Sequence, residues 1–172
     1  MKKSIFAFSL ILMLLFSLSV SAFADDAKFE VTKNFVEGLA ELDGATATVQ
    51  PDMLEIGSTA FEVVKIDYEG DLSEYKSHFN IGFSEDCSQV LLSMSIMNID
   101  EAKLADVINA VNNLNATSTS VKLYVDSDRN IVVGELYLLA TKDSVLDIAG
   151  LGTGLFIRFT DSVYEALKDF EA

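Results

Sequence analysis

The apolar residues of this chain follow two periods, and each period predicts one kind of element. Val31, Phe35 and Leu39 recur at a helical spacing, which predicts a helix over residues 29–42 that ends at Gly44. Alternation of apolar and polar residues is instead typical of strands, whose successive side chains point to opposite faces. It predicts five strands within the first hundred residues, at 46–50, 53–56, 60–66, 78–83 and 89–97.

The strands at 78–83 and 89–97 show the cleanest alternation, and one side of each is polar. Such a pattern indicates a sheet that is covered on one face only. Residues 85–88 predict a hairpin turn between these two strands. The polar stretch at 67–77 predicts a surface loop.

The clearest helix is predicted over residues 100–115, where an apolar stripe runs from Leu104 to Leu114. Asn98 and Glu101 resemble a capping box at its start. Asparagines crowd its end, and this residue type tolerates the left-handed conformation of a helix stop. They are Asn109, Asn112, Asn113 and Asn115.

The last third of the chain predicts a hairpin and a long helix. A strand at 121–126, a turn at 127–130 and a strand at 131–139 come first. A helical stripe then covers residues 142–170 but contains three glycines between 150 and 154, each of which costs a helix about 1 kcal/mol relative to alanine. We favour a break or kink there. The alternative is that the glycines let the helix lie close to the sheet.

The order of these elements predicts the fold class. It is one helix, three to five strands, a second helix, two strands and a third helix. Since strands outnumber helices and short turns join them, we expect an α+β domain with an antiparallel sheet and helices packed on one face.

The N-terminus has the layout of a secretory signal. Lys2 and Lys3 precede an apolar run from Ile5 to Val20. Ala22-Phe23-Ala24 then matches a cleavage site, with small residues at the two positions that signal peptidase recognises. We expect residues 1–24 to be removed, and an uncleaved anchor is the alternative. The mature chain, residues 25–172, would then form one domain that is exported to the periplasm or the extracellular space, with no stable membrane insertion.

Charge narrows the choice of partners. The chain has 12 basic and 27 acidic residues, a net charge of −15, which becomes −17 when the leader takes away two lysines and no acid. Nucleic-acid binding needs a basic patch, and the sequence has none. We therefore expect no nucleic acid as a ligand. The acidic surface favours solubility and is compatible with a basic protein partner.

A resemblance to a known family lies in the run from Leu104 to Asn115 that leads into Val121–Asp128. This run resembles the YbjN family, whose members are described as bacterial sensory transduction regulators. The family pattern continues with an aromatic residue near the middle of the last helix, here Phe156 or Phe159. The resemblance covers residues 77–170 and implies a fold like that of type III secretion chaperones. It implies no active site, so no residue acquires a catalytic role from it.

Two motifs and two single residues suggest metal binding, phosphate binding or catalysis, but none of them meets the requirements of that function. Asp126–Asn130 begins like a calcium loop, but the glycine and glutamate that should follow are missing. Gly150–Gly154 lacks the Gly-Lys-Ser/Thr of a phosphate loop. His78 is the sole histidine, and we expect it on the surface. Cys87 is the sole cysteine and lies among carboxylates, which disfavour the reactive thiolate, so we expect it to be inert. An intermolecular disulfide is the alternative.

These observations predict a binding module rather than an enzyme, with no catalytic, cofactor-binding or metal-binding residues. The partner is an unidentified protein, and a homodimer is a further expectation. The alternatives are an envelope hydrolase and a purely structural envelope protein. The candidate surface is the polar side of the predicted sheet, and its residues are His78, Asn80, Ser93, Ser95, Lys122 and Tyr124.

Overall fold

The computed structural model describes residues 26–39, 45–68, 78–118 and 120–172. The predicted leader, residues 1–24, lies outside this part of the chain, and so does Gly44, the predicted end of the first helix. Of the predicted polar loop at 67–77, Asp67 and Tyr68 belong to a strand, and the rest lies outside the described residues.

The described residues form one antiparallel sheet of seven strands. Its strands are β1 (Ala45–Val49), β2 (Leu54–Ile56), β3 (Thr59–Tyr68), β4 (His78–Ser84), β5 (Gln89–Asn98), β6 (Val121–Asp126) and β7 (Ile131–Leu139). The order across the sheet is β1-β3-β4-β5-β7-β6, and β2 pairs with the same edge of β3 as β1 does. Every predicted strand is confirmed, and β7 lies between β5 and β6.

Three α-helices pack against this sheet in the described part of the chain. They are α1 (Glu30–Leu39), α2 (Leu104–Thr117) and α3 (Val145–Leu167). A 3₁₀ turn, Glu101–Lys103, precedes α2, and another, Lys168–Phe170, follows α3. The predicted α+β class, with an antiparallel sheet and helices packed on it, is confirmed.

One apolar core joins the helices to a single face of the sheet. It contains Phe35 of α1, Val107 of α2 and Phe156 of α3, together with strand residues such as Ile81 and Leu92. Burial of these side chains supplies the main favourable term of folding, at roughly 25 cal/mol per Å² of apolar surface removed from water. Phe61, Leu91 and Val133 are also buried but do not belong to this core.

The last helix is continuous from Val145 to Leu167, so the kink that we favoured near 150–154 is wrong. The alternative interpretation explains Gly152. A Cβ on Gly152 would overlap Cδ1 of Leu138 and would lie 3.3 Å from Cδ1 of Leu92. Gly152 is therefore where α3 lies close to β5 and β7.

The second helix begins and ends differently from the prediction. Asp100, not Asn98, caps the 3₁₀ turn that precedes it, since the Asp100 side chain accepts a hydrogen bond from Ala102 N at 3.0 Å, and Lys103, directly before the helix, makes no side-chain capping hydrogen bond. All four asparagines near its end lie within the helix, and the residue after the helix, Ser118, is extended. The asparagines therefore do not provide a left-handed stop.

A buried carboxylate holds the start of α1. Glu62 on β3 is 2% exposed, and its oxygens accept hydrogen bonds from Lys28 N at 2.7 Å and Phe29 N at 2.8 Å. The first backbone N–H groups of a helix have no intrahelical partner, so an acceptor here stabilises the helix start. Within the described residues, no helix combines the length and the apolar character that a membrane crossing needs.

Candidate functional site

The strands have a second face, which lies opposite the helices. Directly paired residues of neighbouring strands share a face. The pairing Lys65–Asn80–Ser93–Glu135–Lys122 therefore defines one continuous row across β3, β4, β5, β7 and β6. None of these five belongs to the apolar core under the helices. We call the side of the sheet that carries this row the open face, since no described helix packs on it.

All six residues predicted for the binding surface lie on the open face. Asn80 and Ser93 are direct neighbours, and Asn80 Nδ2 donates a hydrogen bond to Ser93 Oγ at 3.4 Å. His78 pairs with Asp67 of β3. A shared surface requires these strands to be neighbours, and β4 and β5 are paired directly.

Strand β7 separates the remaining predicted residues and adds side chains that the sequence interpretation missed. Ser95 and Tyr124 both pair with Val133, so this residue lies between them. Lys122 pairs with Glu135. The residue pattern of β7 offered no reason to place Glu135 on this surface. The strand order of the sheet decides which strand lies beside β5, and the pattern of one strand does not reveal that order.

Glu135 lies between two tyrosines on the open face. Tyr124 Oη donates a hydrogen bond to Glu135 Oε1 at 3.1 Å. Burial, with the negative charge of Glu135 second, raises the pKa of Tyr124 to about 12. The same two causes raise the pKa of Tyr137 above its ordinary value. Both phenols are therefore neutral near pH 7, and they act as hydrogen-bond donors with apolar rings.

One end of the open face is apolar. The rings of Phe61 and Tyr137 meet edge to face, with centroids 6.5 Å apart, although β4 and β5 lie between their strands. Gly82 of β4 allows this, since a Cβ there would come within 3.3 Å of the Phe61 Cβ. Leu54 and Leu139 extend the patch and are 43% and 83% exposed.

Charges on the open face are balanced. Lys65 Nζ lies 3.0 Å from Asp67 Oδ1, and Lys122 pairs across the strands with Glu135. At the end of β6, the guanidinium of Arg129 lies 2.6 Å from Asp126. The acids at strand positions of this face, Asp67, Asp126 and Glu135, therefore each have one basic neighbour. This balance occurs in a chain whose net charge is −15.

The β6 edge of the sheet is covered by polar side chains of the chain itself. Asn115 of α2 donates to Leu123 O at 2.7 Å and accepts from Leu123 N at 2.9 Å. Ser118 Oγ donates to Val121 O at 2.8 Å. These contacts satisfy backbone groups that an edge strand otherwise offers to another chain. A partner of β6 therefore meets the face of the strand more readily than its edge.

Hydrogen bonds within the aspartate-rich turn after β6 hold its conformation. Asp126 accepts hydrogen bonds from Asp128 N and Arg129 N, both at 3.1 Å, and its hydrogen bond with the Arg129 side chain holds its pKa below the usual value. The predicted turn at 127–130 is confirmed, with Asn130 at a φ of 52°. Across the described ranges, no three His, Cys, Asp or Glu side chains form a group that could hold a metal ion.

The turn that carries the sole cysteine is also confirmed. Asp86 accepts hydrogen bonds from Ser84 Oγ and Ser88 Oγ, both at 2.8 Å, and the bond from Ser88 is the main reason that its pKa is lowered. Cys87 is half-buried and has a φ of 59°. A left-handed φ at a residue other than glycine reflects the tight turn that these hydrogen bonds hold.

Comparison with known proteins finds no family model that matches the chain and no matching curated protein.

Proposed function

We propose that this chain is an exported, non-catalytic protein-binding module that holds a protein partner on its open face. The observation that carries the proposal is the character of that face, a charge-balanced surface with exposed aromatic and leucine side chains in a strongly acidic chain. The export signal at residues 1–24 and the resemblance to the YbjN family belong to the same proposal. They favour a chaperone-like or regulatory role in the bacterial envelope.

The residue types on the open face support protein binding. Tyrosine is enriched in protein interfaces, while uncompensated charge is depleted from their centres. Tyr124 and Tyr137 are 41% and 43% exposed, and the acids around them have basic neighbours. The excess of acid lies elsewhere on the molecule. A partner would therefore contact a nearly neutral surface of a chain whose net charge is −15.

The two tyrosines and the glutamate near the middle of this face support binding over catalysis. A general base must be able to accept a proton near neutral pH. Tyr124 and Tyr137 stay protonated, with the pKa of Tyr124 at about 12. Glu135 already accepts a hydrogen bond from Tyr124. These groups are suited to orient and to contact a partner.

Site-specific photo-crosslinking in the native envelope tests the proposal. A photoreactive residue at position 137 places the probe on the open face, and one at position 155 places it on α3, where Leu155 is 66% exposed. We expect a discrete protein adduct from position 137 and none of that mass from position 155. Equal adducts from both positions, or none from position 137, would contradict it.

Localisation is tested on the same material. Mass spectrometry of the purified chain should find an N-terminus at Asp25, in a periplasmic or extracellular fraction. An intact Met1 in the cytosol would overturn the export part of the proposal.

A further inference from the structure

We propose that the partner on the open face is a second copy of this chain, related by a two-fold axis that runs along the strands between β4 and β5. This inference rests on the proposed function and names its partner. It follows from the strand register, which makes two neighbouring rows of the open face complementary to themselves.

The register places opposite charges at equal distances from that axis. In the central row, β3 and β7 lie on opposite sides of the β4–β5 pair, each one strand away from it. A two-fold rotation about the axis brings Lys65 of one copy opposite Glu135 of the other, and the reverse pair forms by symmetry. Asn80 meets Ser93 of the second copy in the same row, so the two copies exchange two ion pairs and two polar contacts.

The next row toward the apolar end gives apolar contacts under the same rotation. Val63, Gly82, Leu91 and Tyr137 form this row, in that order across the sheet. The rotation places Val63 opposite Tyr137 of the second copy. Beyond it, the exposed Leu139 comes opposite the position of Phe61. Because sheets twist, the rows nearest the axis keep this pairing best.

The area is sufficient for a dimer. Strands lie about 4.8 Å apart and rise about 3.3 Å per residue, so a face of six strands and about eight residues covers roughly 760 Å² on each copy. A stable interface of standard size buries about 800 Å² on each partner. The balance of charge on this face also matters, since two chains of net charge −15 repel each other wherever their acids are not matched.

Charge reversal tests this geometry. In the variant Lys65→Glu the facing positions of two identical copies are both acidic, and in Glu135→Lys they are both basic. We expect analytical ultracentrifugation of the full chain, in the form that its host accumulates, to show a dimer for the native chain. Each variant alone should have a dissociation constant raised by at least about tenfold.

The two variants should rescue each other. When Lys65→Glu and Glu135→Lys are mixed, every facing pair is again one acid and one base, so the mixture should form a heterodimer with a dissociation constant near the native value. A chain that carries both substitutions should dimerise with itself. The controls are Lys33→Glu and Glu101→Lys, which make the same charge changes at exposed positions off this face. They should leave the dimer intact.

Each other outcome overturns the dimer. A native chain that stays monomeric at a protein concentration of about 200 μM has no such interface, since most specific homodimers have dissociation constants below this value. A dimer that the single variants leave unchanged lies elsewhere, and one that the mixture does not restore lacks the Lys65–Glu135 pair. If position 137 still crosslinks a different protein in the envelope, the dimer fails while the proposed function stands. If no protein is crosslinked and no dimer forms, both fail.

Discussion

At the scale of single residues, the open face is defined by how Glu135 is shared. It pairs with Lys122 across the strands and accepts a hydrogen bond from Tyr124. The hydrogen bond from Tyr124 orients this carboxylate, which suits a contact that must be matched by a partner. Ionisation of Tyr124 is therefore unfavourable, because it would place a second negative charge beside Glu135.

We predict that Tyr124 ionises after Tyr137 and Tyr164 and that its ionisation destabilises the fold. Its pKa in the fold is about 12 against an ordinary value of 10. Because the value is raised, the stabilising effect is complete below pH 10 and is lost as the pH rises through 12. Tyr124→Phe should remove this alkaline loss, and Glu135→Gln should lower the pKa of Tyr124. Urea unfolding at several pH values measures the loss of stability, and absorbance titration of tyrosinate measures the pKa, with Glu101→Gln as an exposed control.

A Tyr124→Phe chain that loses stability with pH as steeply as the native chain above pH 10 would show that another group is responsible. Tyr137 is the first alternative, since burial and Glu135 raise its pKa also.

At the scale of elements, local patterns predicted where helices and strands lie, and contacts between distant parts of the chain decided the rest. All seven strands and three helices appear close to their predicted positions. The continuity of α3 was missed because the reason for Gly152 is the nearby Leu138 and Leu92, which a helical pattern does not reveal. For the same reason the sequence placed Lys122 on the candidate surface without the Glu135 that faces it.

We predict opposite effects for alanine at two helical glycines. Gly38 in α1 has no atom within 4 Å of an added Cβ, so Gly38→Ala should stabilise the chain by up to about 1 kcal/mol through helix propensity. At Gly152 the added Cβ meets Leu138, so Gly152→Ala should destabilise by about 1–2 kcal/mol. Urea unfolding measures both free energies. The variant Gly152→Ala/Leu138→Ala should cost less than the sum of its single substitutions.

If Gly152→Ala is as stabilising as Gly38→Ala, the close approach of α3 to β7 does not limit this position. Leu138 would then adjust to the new side chain without cost, and the packing argument for the glycine would be wrong.

At the scale of the whole molecule, one core ties the ends of the described chain together. It runs from Val31 in α1 to Leu167 in α3. The last residues are fixed as well, since Asp100 N donates to Phe170 O at 3.0 Å and Ile99 forms a bridge with Glu171. A single core of this kind favours cooperative unfolding. The same compactness brings a net charge of −15 close together, which opposes folding through repulsion.

We therefore predict that salt stabilises the monomeric fold. Raising NaCl from about 0.02 to 0.5 M shortens the Debye length from roughly 20 Å to about 4 Å, which screens the unmatched acids more than the close pairs such as Lys65–Asp67 at 3.0 Å. The melting temperature of a Glu135→Lys chain, which the proposed dimer does not stabilise, should rise by roughly 2–5 °C. Circular dichroism at several protein concentrations measures it and excludes a contribution from association. A melting temperature that falls with salt would mean that the paired charges stabilise the fold more than the unpaired acids oppose it. The charge balance of the open face would then be a feature of folding stability rather than of partner binding.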